Sequence, residues 1–184
     1  MKKILIAASL SMSSVSIFAS GDPVAAGDVL GRNLSVIGLG ALGHIGVLAS
    51  TDNVVQVMNA SSYVNVIQNV SVAEFKVNTY WGAKAKPNFT WIPPYSSAAN
   101  QINTLSDQQK PHIAYNLWSS TANPAVQVCT SYHNSTCTSY AWQKGSFRCD
   151  AFVKWLYTQT GNGNLGGALP SSTYKSSLLM IARI

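Results

Sequence analysis

Residues 45–49 and 54–58 are two short apolar runs rich in Val and Ile, separated by the polar stretch Ser50-Thr51-Asp52-Asn53. β-Branched side chains suit the pleated surface of a sheet, and a polar break between two such runs marks a β-hairpin. This pair commits the first third of the chain to antiparallel sheet. Gly27-Asp28-Val29-Leu30 reads as a turn entering a strand before it. Residues 62–77 are rich in Val and Ile and predict a further strand or two, ending before Pro93-Pro94. Ser96 or Ser97 then caps a helix that runs to about Gln109 and closes before Pro111.

A second hairpin is expected from residues 126–132 and 137–142. The clearest helix covers residues 150–159, where Phe152, Val153, Leu156 and Tyr157 recur at helical spacing, Trp155 broadens the apolar face and Gly161 stops it. Residues 170–184 read as a short helix or edge element. Strands dominate the first half and the best helix comes late, without repeats or a dividing linker, so the class is α+β with one domain over residues 20–184.

Composition narrows the function. The 184 residues carry 12 Lys+Arg against 6 Asp+Glu, a formal charge of +6, and only 10% are charged. Soluble domains average about 25%. Basicity spread this thinly makes no stripe of the kind nucleic acid requires. Lys2 and Lys3, the apolar run from Ile4 to Leu10, a Ser-rich segment and the small Ala19 resemble a secretory signal peptide over residues 1–19. Ser11, Ser13, Ser14 and Ser16 interrupt that run short of a membrane span. Cleavage leaves a charge of +4 and a secreted or periplasmic protein with no stable membrane span.

Export changes how three cysteines are read, because an odd number leaves one thiol over. Cys129 and Cys137 flank a Ser/Thr/Asn-rich stretch and are natural disulfide mates. With His133 they also step at zinc-like intervals, but zinc needs a fourth ligand and a rigid surround, so the disulfide is preferred. Residues 38–43 match GxGxxG, yet the residues after them look like strand, whereas a dinucleotide site needs a helix to begin there.

The leftover Cys149 sits at the start of the late helix, where free N–H groups and the positive dipole end favour thiolate. His44 opens the first strand of the hairpin. Gln56, twelve residues on, is expected to return beside it and to orient the imidazole through its amide oxygen. A thiol, a histidine and an orienting polar group are the parts of a nucleophilic site.

Gly43-His44-Ile45-Gly46-Val47-Leu48, Val54-Val55-Gln56-Val57 and Arg148-Cys149-Asp150-Ala151-Phe152-Val153 together resemble the NlpC-type papain-like cysteine peptidases and amidases. Here the histidine precedes the cysteine, as in the circularly permuted branch of YiiX-like enzymes and lecithin retinol acyltransferase relatives. The likeness covers residues 27–58 and 146–158. It implies a papain-like fold, in which an antiparallel sheet carries His44 and a packed helix carries Cys149. Gln56 is the third member, with Asn59 as substitute. Tyr80-Trp81-Gly82 is similar to an aromatic-Gly element beside the site, which implies substrate contact by Tyr80 and Trp81. The implied reaction is amide hydrolysis through a thioester, with no metal or organic cofactor. Peptidoglycan is the expected substrate, and no residue assigns an inhibitor protein.

Permuted relatives also act on lipid esters and amides, and an apolar groove with Trp81, Trp91 and Trp118 would favour that substrate. A non-catalytic envelope-binding domain is the third expectation, with Cys149 locked in a cystine, for instance to Cys137.

Overall fold

The computed structural model describes residues 21–34, 40–59 and 66–181. Residues 1–19, read above as a signal peptide, lie outside them, as do 62–65 of the Val/Ile-rich stretch and Gly38 and Leu39 of the glycine motif. The chain forms β1 (Val29–Arg32), β2 (His44–Ser50), β3 (Asn53–Val57), β4 (Ile67–Val70), α1 (Val72–Phe75), β5 (Tyr80–Ala85) and α2 (Ala98–Gln109). It continues through β6 (Ile113–Tyr115), β7 (Val126–His133), β8 (Thr136–Gln143), β9 (Gly145–Phe147), α3 (Cys149–Gln159), α4 (Pro170–Tyr174) and β10 (Met180–Ile181).

Six strands make one antiparallel sheet in the order β10-β5-β1-β2-β3-β4. Alternation along β2 and β3 divides the core between its faces. Ile45, Val47, Val55 and Val57 pack with Phe152, Leu156 and Tyr157 of α3 and Ile102 of α2, while Leu48 and Val54 join Leu30, Val70 and Phe75 on the other side. The mixed, antiparallel arrangement is α+β.

Local chemistry explains the ends of these elements. Ser97 caps α2 by accepting from the Asn100 N–H. Ser71 does the same for α1 through Glu74, so the stretch expected to be all strand is β4 followed by a helical turn that buries Phe75. Asp28 is a turn residue whose carboxylate accepts from the N–H groups of Val24 and Ala25. Within the glycine motif lies a single 3-10 turn, Gly40–Leu42, and strand begins directly after Gly43, so no helix starts at its last glycine. The C-terminal segment supplies both expected forms, α4 and the edge strand β10.

β6 and β9 form a short parallel pair, and β7 with β8 a separate two-stranded sheet between them in sequence. Cys129 and Cys137 are joined across that second hairpin, which removes both from any zinc set. Among the described residues no helix is long and apolar enough to cross a membrane.

Candidate active site

His44 opens β2, and Gly46 two residues on pairs with Gln56 of β3. Residues 44, 46 and 56 therefore share a face, and Gln56 lies diagonally within reach of the imidazole. The expected contact forms, with His44 Nε2 2.7 Å from Gln56 Oε1. An amide oxygen only accepts, so Nε2 carries the proton and Nδ1 keeps its lone pair. Both side chains are buried, and the ring of Phe75 lies 5.7 Å from that of His44. Gly46 permits this packing, since a Cβ there would sit 2.8 Å from Val54 and 3.0 Å from Phe75.

Arg32, paired with His44 across β1, holds its guanidinium 4.8 Å from the Phe75 ring centre. Burial, and then the Arg32 charge, push the His44 pKa down to about 4 against the opposing effect of the Gln56 hydrogen bond. The imidazole is thus a neutral base through the physiological range.

Cys149 is the first residue of α3, preceded by Arg148 in extended conformation, which makes no side-chain cap. It is the free cysteine, since Cys137 is already paired, and this removes the cystine expected of a purely binding domain. The backbone N–H of Ile45, the residue that follows His44, favours the thiolate form of the Cys149 sulfur. α3 and β2, more than a hundred residues apart in sequence, thus bring the thiol to the strand end that bears the histidine.

The thiol departs from the sequence expectation. Cys149 is only 3% exposed, although the helix start was expected to favour thiolate. Burial outweighs the N–H groups of Ile45 and Asp150 and drives the pKa up to about 12. The thiol is therefore protonated at rest, and the imidazole is not beside it: His44 lies with Leu48, Val54 and Phe75 on one face of the sheet, whereas α3 and Cys149 lie on the other. A nucleophilic role would require the sulfur to lose its proton, as the new bond forms, to a base brought to its own side of the sheet. The N–H of Cys149 itself, at the first helical position, has no carbonyl four residues back and is a candidate oxyanion donor.

A pocket of about 210 Å3 opens on Cys149. Leu34 and Leu42 line one side, Leu117 and Trp118 a second, and Leu169 and Pro170 a third. Gly43, also in its wall, has φ +80°, and a Cβ there would lie 1.8 Å from the Trp81 ring.

Trp81 therefore backs the pocket from behind Gly43; its own open face joins Tyr174 in a neighbouring cleft, and its indole donates to Asn33. Tyr80 is not at the site. It packs with Leu30 and Phe75 on the face away from α3, because adjacent strand residues point to opposite sides. Trp91 lines a separate cavity beside Phe89, so of the three tryptophans expected in an apolar groove only Trp118 lines this pocket. Of the two residues expected beside the imidazole, Gln56 makes the hydrogen bond to His44.

Sequence reasoning missed the pocket walls and the buried charges behind them. Asp150 is fully buried between Arg148 and Lys154. Its i,i+4 spacing to Lys154 was the one available signal, and it resembles an ordinary helix-surface pair.

Family models, characterised proteins and solved structures offer no match to this chain. The class that the structure defines is an α+β protein with an antiparallel sheet, a free buried cysteine at the start of a helix packed on that sheet, and a hydrogen-bonded His–Gln pair on the β2–β3 hairpin.

Proposed function

We propose that the protein is an exported cysteine hydrolase that cleaves an amide bond, with peptidoglycan as its substrate, at the stem peptide or at the glycan–peptide amide. What supports this reading is the pocket that the free Cys149 at the start of α3 shares with Gly43, the residue before a histidine that Gln56 orients. The papain-like fold and the permuted NlpC-type assignment belong to the same proposal.

In the proposed reaction the sulfur attacks the carbonyl carbon while its proton passes to His44, which requires the imidazole to swing from the Phe75 face round the end of β2 to the Cys149 side. The tetrahedral intermediate collapses as His44 returns that proton to the leaving amine, and water then releases the acyl group from the thioester. His44 must be neutral to begin. Its pKa of about 4 makes the base available at any pH above that value, and the thiol stays protonated until attack.

A second reading keeps the chemistry and changes the substrate. The pocket beside the sulfur is walled mainly by Leu, Trp and Pro, which suits the hydrocarbon of a lipid acyl ester or amide better than a polar stem peptide. Purified cell wall and detergent-solubilised acyl substrates, incubated in parallel and read by product mass, separate the two. Product from wall supports the first reading, and product from lipid alone replaces it with the second. In either case Cys149→Ala and His44→Ala are expected to abolish turnover, whereas Gln56→Ala, which removes only orientation, costs less. Unchanged hydrolysis by Cys149→Ala would falsify the mechanism.

A further inference from the structure

Asp150 has no solvent exposure, and two cations converge on its carboxylate. Arg148 donates from Nε to Oδ1 at 2.5 Å and from Nη2 to Oδ2 at 2.9 Å, and Lys154 Nζ stands 3.4 Å from Oδ2. Each cation also reaches out to the same two loops. Arg148 donates to the carbonyls of Leu117, at 3.3 Å, and Ala168, at 2.5 Å. Lys154 donates to those of Ser120, at 2.7 Å, and Gly167, at 2.9 Å. These loops end in Leu117–Trp118 and Leu169–Pro170, which form two of the three sides of the Cys149 pocket. One buried carboxylate thus holds two cations, and the two cations hold two loops.

We propose that Asp150 is a positioning residue: its charge, through Arg148 and Lys154, fixes the two walls of the Cys149 pocket and so sets which acyl or side-chain groups reach the sulfur. Backbone carbonyls alone are weak lures for two cations that could otherwise be solvated by water. A buried carboxylate with a bidentate arginine keeps them aimed inward. Without its charge both cations swing towards solvent, four carbonyl contacts loosen together, and the gap between Trp118 and Leu169 widens. Lys154 tightens only the outer half of the clasp. The proposal rests on Cys149 being the reacting group but not on what is hydrolysed.

The test is alkylation of Cys149 by N-methylmaleimide and N-hexylmaleimide, which share one electrophile and differ by an apolar tail. A fixed apolar pocket favours the hexyl reagent, by about tenfold for even partial burial of the added methylenes. In Asp150→Asn that ratio is expected to fall towards one, and in Lys154→Met to an intermediate value, with Lys154→Arg restoring it. If Asp150→Asn does not fold, judged by circular dichroism, the Lys154 pair carries the test. Equal rates for both reagents in the native protein, or a native ratio preserved in the folded variants, would overturn the proposal and reduce the network to a stabiliser of the fold. Because the readout is alkylation, absence of hydrolysis with an intact ratio counts against the hydrolase reading alone.

Discussion

The β2–β3 hairpin buries Ile45, Val47, Ala49, Val54, Val55 and Val57 completely, whereas the β7–β8 hairpin leaves Tyr132 68% and Tyr140 61% exposed. Both are short antiparallel pairs around polar turns. The first is clamped between strands β1 and β4 and covered on both faces, by α3 on one and Phe75 on the other. The second has no other strand beside it among the described residues and is closed by the Cys129–Cys137 disulfide. Position in the first is held by packing from every side, and in the second by a covalent bond. The His44 ring, held on Gln56 and against Phe75, has the first kind of support, because packing from several directions fixes a ring's angle.

The largest break in this contrast comes from removing packing. Leu48→Ala empties a site with 1% exposure beside Val54 and Phe75 and is expected to cost about 2–5 kcal/mol. The matching truncation in the other hairpin, Val128→Ala, removes a side chain 38% exposed and is expected to change stability by less than about 0.5 kcal/mol. Urea unfolding of the two variants measures both. Equal losses would mean that the second hairpin is packed in solution by something its exposure does not show.

The same contrast explains what could be read from the chain alone. Both hairpins, the Ser97 cap and the late helix follow from neighbours within a few residues, and so does the pairing of Cys129 with Cys137. The His44–Gln56 contact was legible because a hairpin's register is a local property. Features assembled from distant segments were not. The pocket walls at Leu117 and Leu169 meet only after folding, and the strand order that places β5 against β1 cannot be counted along the chain. The state of Cys149 was misjudged for the same reason. A helix start is a local feature that favours thiolate, while the burial that overrides it is supplied by β2 and by remote loops.

Burial also gives the first hairpin a pH dependence. The unfolded chain takes up a proton at the ordinary histidine pKa of 6.5, which folded His44 refuses until about 4. Between those values the unfolded state binds more protons, so stability falls as pH falls. It is present in full above 6.5 and is lost progressively down to about 4. The loss attributable to His44 is up to about 3 kcal/mol. Denaturation at pH 7 and at pH 4.5 is expected to show it in the native protein and to show a shallower slope in His44→Gln. An unchanged slope in that variant would assign the acid sensitivity to other groups and place the imidazole in a wetter setting.

The smallest expected effect sharpens the comparison from the other side. The disulfide bridges a separation of 8 residues, and closing so short a loop removes little entropy from the unfolded chain. Replacing both partners, Cys129→Ser with Cys137→Ser, is expected to lower global stability by no more than about 2 kcal/mol. The change should appear mainly as faster amide exchange within β7 and β8, since this hairpin can open without exposing the core beneath β2 and β3. Exchange in β2 and β3, and the alkylation rate of Cys149, should stay as they are. The hairpin is nevertheless tied to the body at its root, where Trp142 stacks on His112 at 4.4 Å and β8 runs almost directly into β9 and Cys149. Faster alkylation of Cys149 after loss of the disulfide would show that the exposed hairpin steadies the nucleophile through β9, and that the two regions are one mechanical unit instead of two.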